Sequence, residues 1–302
     1  MLEGNWKFFI LQEGEIVAYE IMRILAQRQT KYQYAEILET KTWGKCLFLD
    51  QKPQSSIEEH FIYNEALVHP AMVTNPNPRK LFIAGGGPGS GLHEMLRYNT
   101  VEEVVFCDLD TEAIELYREY LPEWHEGAFD DPRVRYIYSD AREYLANSTE
   151  TFDCIWADIS DPLEGSPAVK LFTAEFYEIV KARLGEGGIF VTQAGRTNLN
   201  NLEYHKAIYR TCSEVFPAVS PYSVHIPFFG ESWGFVLASL GRQPKELSAS
   251  EIDQIMEERG ASGTRFYDGT TNLALFALPR VYRQAMASAN TVIRDAAPLY
   301  VK

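Results

Sequence analysis

Two aspartates three residues apart, Asp158 and Asp161, close an apolar run in Phe152-Asp-Cys-Ile-Trp-Ala-Asp-Ile-Ser-Asp-Pro162. Paired carboxylates can hold an ammonium group, and one of them can take its proton when the amine has to become a nucleophile. An alkylammonium resembles a lysine side chain, whose pKa of ~10.4 leaves it almost fully protonated at pH 7, so attack requires a base. The same residues also suit a turn beginning at Asp161-Pro162 and a helix cap at Asp158, and on these residues alone the two readings stand level. No histidine lies at ligand spacing to the pair, and no metal is expected.

A second group of residues can hold a nucleoside. Phe82-Ile-Ala-Gly-Gly-Gly-Pro-Gly-Ser-Gly91 reads as a strand, a glycine loop and a helix start. Gly85, Gly87 and Gly89 allow close approach of backbone to ligand. Asp108 ends the next strand roughly twenty residues on, where a carboxylate can accept both ribose hydroxyls. Ser90 stands where a dinucleotide fingerprint wants glycine, which favours a nucleoside over a pyrophosphate. Asp140, at the end of the following strand, is placed for an adenine amino group, although turn glycines and helix-capping aspartates account for each feature singly.

These residues need a scaffold that brings several strand ends together. Before residue 75 the chain reads as short β runs, Lys7–Leu11, Glu15–Ile24, Tyr32–Leu38 and Lys45–Leu49, followed by a helix over Phe61–Met72. The prolines of Thr74-Asn-Pro-Asn-Pro-Arg79 mark a boundary. Beyond it strands (Lys80–Ala84, Val101–Asp108, Val134–Ser139, Phe152–Asp158, Gly188–Gln193) alternate with helices (Ser90–Tyr98, Thr111–Leu121, Ala141–Asn147, Ala168–Leu184). The last helix is expected to end in a left-handed cap within Gly185-Glu-Gly-Gly188. The expected fold is α/β: a Rossmann-like, methyltransferase-type, mostly parallel sheet with helices on both faces, plus a small N-terminal β domain. The domains are read as residues 1–74, including the linking helix, and 75–302, the nucleoside-binding catalytic domain. In open α/β sheets ligands bind in a crevice at the carboxyl ends of the strands, where the two candidate groups converge.

Composition narrows the partners. The net charge of −14 argues against nucleic acid, whose recognition draws on Lys/Arg clusters, and suits a cationic small molecule. Cys46, Cys107, Cys154 and Cys212 form no C-x-x-C pair and read as buried thiols. No apolar run approaches the ~18 residues that span a bilayer, and the first residues lack a leader pattern, so a cytoplasmic protein without membrane contact is expected.

With these motifs in place, the sequence resembles the aminopropyltransferase (spermidine/spermine synthase) family along nearly its whole length. The resemblance rests on Tyr32-Gln33, Leu49-Asp50 followed by Gln54, Phe61-Ile-Tyr-Asn-Glu65, the glycine loop, Asp108-Leu-Asp110, Asp140-Ala141 and Asp158-Ile-Ser-Asp-Pro162. Segments 59–70, 163–167, 188–195 and 225–234 resemble the thermospermine synthase branch most. The resemblance implies transfer of a 3-aminopropyl group from decarboxylated S-adenosylmethionine, as co-substrate with no tightly bound cofactor, to a polyamine, releasing methylthioadenosine. It makes Asp158 the general base and has Tyr63 orient the attacking nitrogen. Asp161 holds the acceptor amine, beside Phe229 and Trp233, with Glu164, Glu231 and Glu65 as candidates for distal nitrogens. Gln33, Gln54, Asp108, Leu109, Asp140, Ala141 and loop residues Gly85, Gly87, Pro88 and Gly89 form the donor site. A homodimer or homotetramer joined through the β domain is also implied.

The sequence departs from the family at three of these places. Pro88 replaces an acid thought to hold the donor's ammonium, His60 stands at another usually acidic position, and Phe229 replaces a tyrosine. Pro88 would tolerate a donor that kept its carboxylate, S-adenosylmethionine itself, with 3-amino-3-carboxypropyl as the transferred group. Two other classes stay open: a methyltransferase, which leaves the Asp158/Asp161 pair and Tyr63 unexplained, and a non-catalytic polyamine-binding protein.

Overall fold

The computed structural model of the chain describes residues 4–301. Strands β1 (Asn5–Gln12), β2 (Glu15–Gln29), β3 (Tyr34–Thr40), β4 (Gly44–Leu49) and β5 (Lys52–Ser56) form one sheet in chain order, each antiparallel to the next. β5 was not legible as a strand, because Lys-Pro-Gln-Ser-Ser carries neither β-branched nor aromatic residues; it pairs because a two-residue turn folds it back on β4. The β3 run begins at Tyr34, since Thr30–Gln33 forms a turn closed by Thr30 N donating to the Gln33 carbonyl at 2.9 Å.

Helix α1 (His60–Thr74) leads to the second sheet, and its residues from Asn64 to Thr74 are all buried. Pro70 lies inside it and has no N–H to offer the carbonyl of Ala66. That carbonyl accepts instead from the Tyr222 hydroxyl at 3.0 Å, and the next one, Leu67, accepts from Trp156 Nε1 at 3.1 Å. A helix interrupted by proline is therefore completed by side chains of the sheet it packs on.

That sheet contains β6 (Lys80–Gly85), β7 (Glu103–Cys107), β8 (Val134–Ile137), β9 (Phe152–Asp158), β10 (Leu184–Arg196), β11 (Ala218–Ile226) and β12 (Glu231–Ser239), in the order β11-β12-β10-β9-β6-β7-β8. Strands β6 to β10 run parallel, while β12 runs antiparallel to both β10 and β11. The expected Rossmann-like, methyltransferase-type sheet with an N-terminal β domain is the fold observed. The helices α2 (Ser90–Leu96), α3 (Thr111–Tyr120), α4 (Pro122–His125), α5 (Ala141–Asn147), α6 (Ala174–Ala182), α7 (Glu203–Val215), α8 (Ala249–Glu258), α9 (Gly269–Phe276) and α10 (Arg280–Ala287) complete the chain. Leu81 and Ile83 point into one apolar core and Phe82 and Ala84 into another, so both faces of the sheet are covered. All four cysteines are buried and free.

The expected helix over Ala168–Leu184 is two pieces, a 3-10 turn at Pro167–Leu171 and then α6. Thr173 separates them by capping α6, its hydroxyl accepting from Phe176 N at 3.3 Å. The left-handed cap at 185–188 is also absent: α6 closes at Arg183 with φ −103°, and the glycines lie in an irregular stretch of β10.

Strand order fixes where a ligand can sit. After β6 the chain runs outward to β7 and β8, then returns to the other side of β6 as β9, so the connections leave β6 and β9 in opposite directions and open a crevice at their carboxyl ends. Tyr222→Phe should cost about 1–3 kcal/mol in denaturant unfolding, because it strands a buried carbonyl. In a Pro70→Ala background, where an amide again faces Ala66, the same change should cost less than about 1 kcal/mol; equal losses in both backgrounds would contradict the pairing.

Candidate active site

The carboxyl ends of β6, β7, β8 and β9 line a cavity of about 500 Å³, with Leu47, Leu49, Lys52 and Gln54 of the N-terminal sheet and Gln33 of its β2–β3 turn opposite. Gly85 ends β6 in register with Asp158, the last residue of β9. Gly85 has φ +77°, and a Cβ there would lie 2.2 Å from the Asp158 carbonyl oxygen, which also accepts from Gly86 N at 3.0 Å. Only glycine lets the loop pass this close to the acid. At Gly89 (φ +85°) a Cβ would meet Phe129 and His125 at 2.8 and 2.9 Å as the loop turns into α2.

Tyr63, in the first turn of α1, donates to Asp158 Oδ1 at 2.8 Å, and its ring lies 5.1 Å from Phe235 and 6.5 Å from Phe229. Burial holds the Tyr63 hydroxyl well above its ordinary pKa, so it stays a donor. Burial likewise pushes Asp158 up to about 6, with the Tyr63 hydrogen bond pulling the other way. At neutral pH Asp158 is a mostly ionised carboxylate with raised basicity, the condition for general-base work.

Asp161 lies three residues further on, in the irregular stretch after β9. Its Oδ2 accepts from Lys52 Nζ at 3.2 Å, and its Oδ1 is buried without a partner among the described residues. Gln193 supports this segment from β10, donating through Nε2 to the Ile159 carbonyl at 3.0 Å while its Oε1 accepts from Gly195 N at 2.9 Å.

Where β7 meets the cavity, Asp108 is raised to about 6, chiefly by burial, while its Oδ1 accepts from Asp110 N at 2.8 Å. Asp140 caps α5, taking Arg142 N at 2.7 Å and Glu143 N at 3.1 Å on Oδ1 alone, which leaves Oδ2 uncommitted by the cap. The capping and binding readings of this residue are therefore compatible. Gln33 donates to Asp110 Oδ2 at 2.9 Å, the same oxygen that takes the Thr30 hydroxyl at 2.7 Å, so Asp110 ties the N-terminal sheet to the cavity wall.

Apart from Glu65, every residue put forward for the site lines this one cavity except Gly89, which lies just behind the loop, and Glu164, which is exposed in the turn beyond Leu163. Of the other acids considered, Glu231 lines the cavity, whereas Glu65 is buried elsewhere and accepts from the amides of Arg265, Phe266 and Tyr267 at 2.9, 2.8 and 2.7 Å. His60 stacks on Trp124 at 5.3 Å; burial lowers it to about 4, which keeps it neutral. Sequence reasoning passed over Lys52, Arg196 and Asp110 as site residues. The first two are cations in a cavity expected to bind one, and the third differs in no sequence feature from an ordinary helix cap.

Because the folded-state pKa of Asp158 lies above the ~3.9 of an unfolded chain, its ionisation destabilises the fold: the stability is present below about pH 4 and lost as pH rises through about 6. Asp158→Asn should be more stable than the parent by about 3 kcal/mol at pH 7.5, with the difference vanishing near pH 4 in denaturant titrations. A parent as stable as the variant at pH 7.5 would contradict the burial argument.

Residues 60–246 match the spermine/spermidine synthase domain, and residues 6–56 match the spermidine synthase tetramerisation domain. Polyamine aminopropyltransferase 2 of Hyperthermus butylicus is 41% identical over 298 residues, covering 98% of this chain and 97% of that protein. The polyamine aminopropyltransferases of Sulfurisphaera tokodaii (38%, covering 100% and 99%) and Synechococcus sp. strain JA-3-3Ab (41%, covering 98% and 98%) are similar over comparable lengths. Among solved structures, a spermidine synthase in complex with the transition state analogue AdoDATO superimposes with a TM-score of 0.86 at 28% identity, covering 94% of this chain and 95% of that one. The spermidine synthase of Thermotoga maritima superimposes with a TM-score of 0.85 at 28% identity, covering 95% of each. With both domain matches in their proper order and relatives alike from end to end, the chain belongs to the spermine/spermidine synthase family.

Proposed function

We propose that this chain is an aminopropyltransferase that moves the 3-aminopropyl group of decarboxylated S-adenosylmethionine to a polyamine and releases methylthioadenosine. The observation that carries this reading is the buried Tyr63–Asp158 pair, 2.8 Å apart, facing the glycine loop of a nucleoside-sized cavity. A sulfonium carbon is already activated, so the protein has to align, deprotonate and exclude water. Asp108 takes the ribose hydroxyls and Asp140 the adenine edge, with Leu109 and Ala141 beside them; Gln33, Gln54 and the loop at Gly85–Pro88 complete the donor site. Asp161 and Tyr63 hold the acceptor amine against Asp158, with Phe229 and Trp233 walling its chain. As the nitrogen's lone pair forms the new N–C bond, the C–S bond breaks, its electron pair returns to sulfur as a neutral thioether, and the amine's proton passes to Asp158.

The active species is a homo-oligomer, a dimer or tetramer, assembled through the N-terminal sheet. Phe8, Ile10, Ile16, Met22 and Ile24 on β1 and β2 are each more than half exposed, a patch that a second copy would cover. We place the boundary between domains at residues 74/75 and the protein in the cytoplasm; no helix among the described residues is long and apolar enough to cross a membrane.

The test is incubation with each sulfonium donor and a panel of putrescine, agmatine, spermidine and norspermidine, with products read by mass spectrometry. Methylthioadenosine with an aminopropylated amine is expected from the decarboxylated donor. Methylthioadenosine with a carboxylated product would identify S-adenosylmethionine as donor, as Pro88 would permit; S-adenosylhomocysteine, or no turnover, would overturn the proposal. Asp158→Asn should abolish turnover while leaving methylthioadenosine binding within about threefold, and an unchanged rate would remove Asp158 as the base.

A further inference from the structure

The acceptor end of the cavity holds two cations of the protein's own. Lys52 Nζ lies 3.2 Å from Asp161 Oδ2, and Arg196 Nε lies 2.9 Å from Glu231 Oε1. Glu231 also accepts from Asn198 Nδ2 at 2.9 Å through its other oxygen. Both carboxylates beyond Asp158 are thus already compensated, in a site whose expected ligand is a polycation.

The two pairs differ in how firmly they are held. The Arg196–Glu231 side chains are 12% and 2% exposed, and Arg196 also donates to the Leu11 carbonyl and lies over the Phe9 ring at 5.6 Å. It is a fixed part of the wall. Lys52 is 25% exposed, and among the described residues its ammonium has a single hydrogen-bond partner, Asp161, whose second oxygen is buried without one. The backbone under Lys52 is nonetheless pinned: Asp50 and Gln51 form a two-residue turn with φ of +47° and +70°, a conformation that favours glycine, and Asp50 Oδ1 accepts from Tyr34 N at 2.8 Å. A strained turn therefore fixes the root of a side chain whose tip is held by the Asp161 pair.

We infer that Lys52 is a specificity-determining residue, a built-in ammonium that competes with the acceptor's own charge for Asp161. An acceptor ammonium can take the open Oδ1 only beside the Lys52 charge, or take both oxygens once Lys52 swings away; either route weakens binding of amines that carry an additional cation there. Removing the lysine frees Asp161 Oδ2 for a further nitrogen of the acceptor, beside the Oδ1 that is already open. The inference rests on the aminopropyltransferase reading and names what selects the acceptor within it.

The experiment is steady-state kinetics of the full-length protein and of Lys52→Met and Lys52→Arg, with putrescine and spermidine as acceptors and the decarboxylated donor. Lys52→Met should lower KM for spermidine about tenfold and for putrescine by less, with the donor's KM unchanged, while Lys52→Arg keeps the parental preference. Thermal unfolding and methylthioadenosine binding report whether each variant is folded. Lys52→Gln supplies the test if the methionine variant is not. An unchanged or raised spermidine KM in the folded, active neutral variant overturns the role of Lys52. Failure of the parent to turn over any acceptor sinks the reading beneath it, so the two failures are distinguishable.

Discussion

A carboxylate that is to deprotonate an ammonium has to be dry enough to bind protons tightly and still charged near neutrality, and the Tyr63–Asp158 hydrogen bond meets both demands. Burial alone would drive the acid towards its neutral form; a phenol held 2.8 Å from Oδ1 draws it back, leaving a group raised to about 6. The pair joins two parts of the chain. Asp158 ends β9 at the switch point of the large sheet, and Tyr63 comes from the first turn of the helix that links the sheets. The glycine loop can reach this acid only because Gly85 lacks a Cβ, and Tyr222 and Trp156 satisfy the carbonyls around Pro70 in the helix that carries Tyr63.

The N-terminal sheet does more than flank this centre. Its β4–β5 turn brings Lys52 and Gln54 to the cavity, and the Thr30–Gln33 turn docks on Asp110 at the head of α3. A cavity of nucleoside size thus lies between two sheets that meet through polar contacts at its rim. Between such walls charge–charge interactions are stronger than in bulk water, so the carboxylates that line the cavity attract a cation more strongly there.

Much of this was legible in the sequence, for identifiable reasons. Apolar strands alternating with amphipathic helices, and acids at strand ends, follow from burial on both faces of a parallel sheet, so the fold and the cluster of Asp108, Asp140 and Asp158 could be read directly. β5 could not, because its pairing comes from a turn and not from its residue types. The helix at 168–184 was overextended because its apolar spacing runs on through Phe172 and Thr173, and only the cap made by Thr173 divides it. Glu164 and Glu65 have the same charge as Glu231, and only the cavity wall separates the exposed loop acid and the backbone-bound acid from the one that lines the cavity. Lys52 and Arg196 were invisible for the opposite reason: their sign argues against a cation site until their partners are seen.

The central claim, that Asp158 tuned by Tyr63 is the proton acceptor, is tested most directly by the pH dependence of kcat/KM, which reports the free enzyme. The account predicts an acid limb near pH 6, because activity requires ionised Asp158. In Tyr63→Phe, where the stabilising hydrogen bond is lost, the limb should move to higher pH. A parental profile flat from pH 5 to 8, or a limb that stays in place when the phenol is removed, would contradict it.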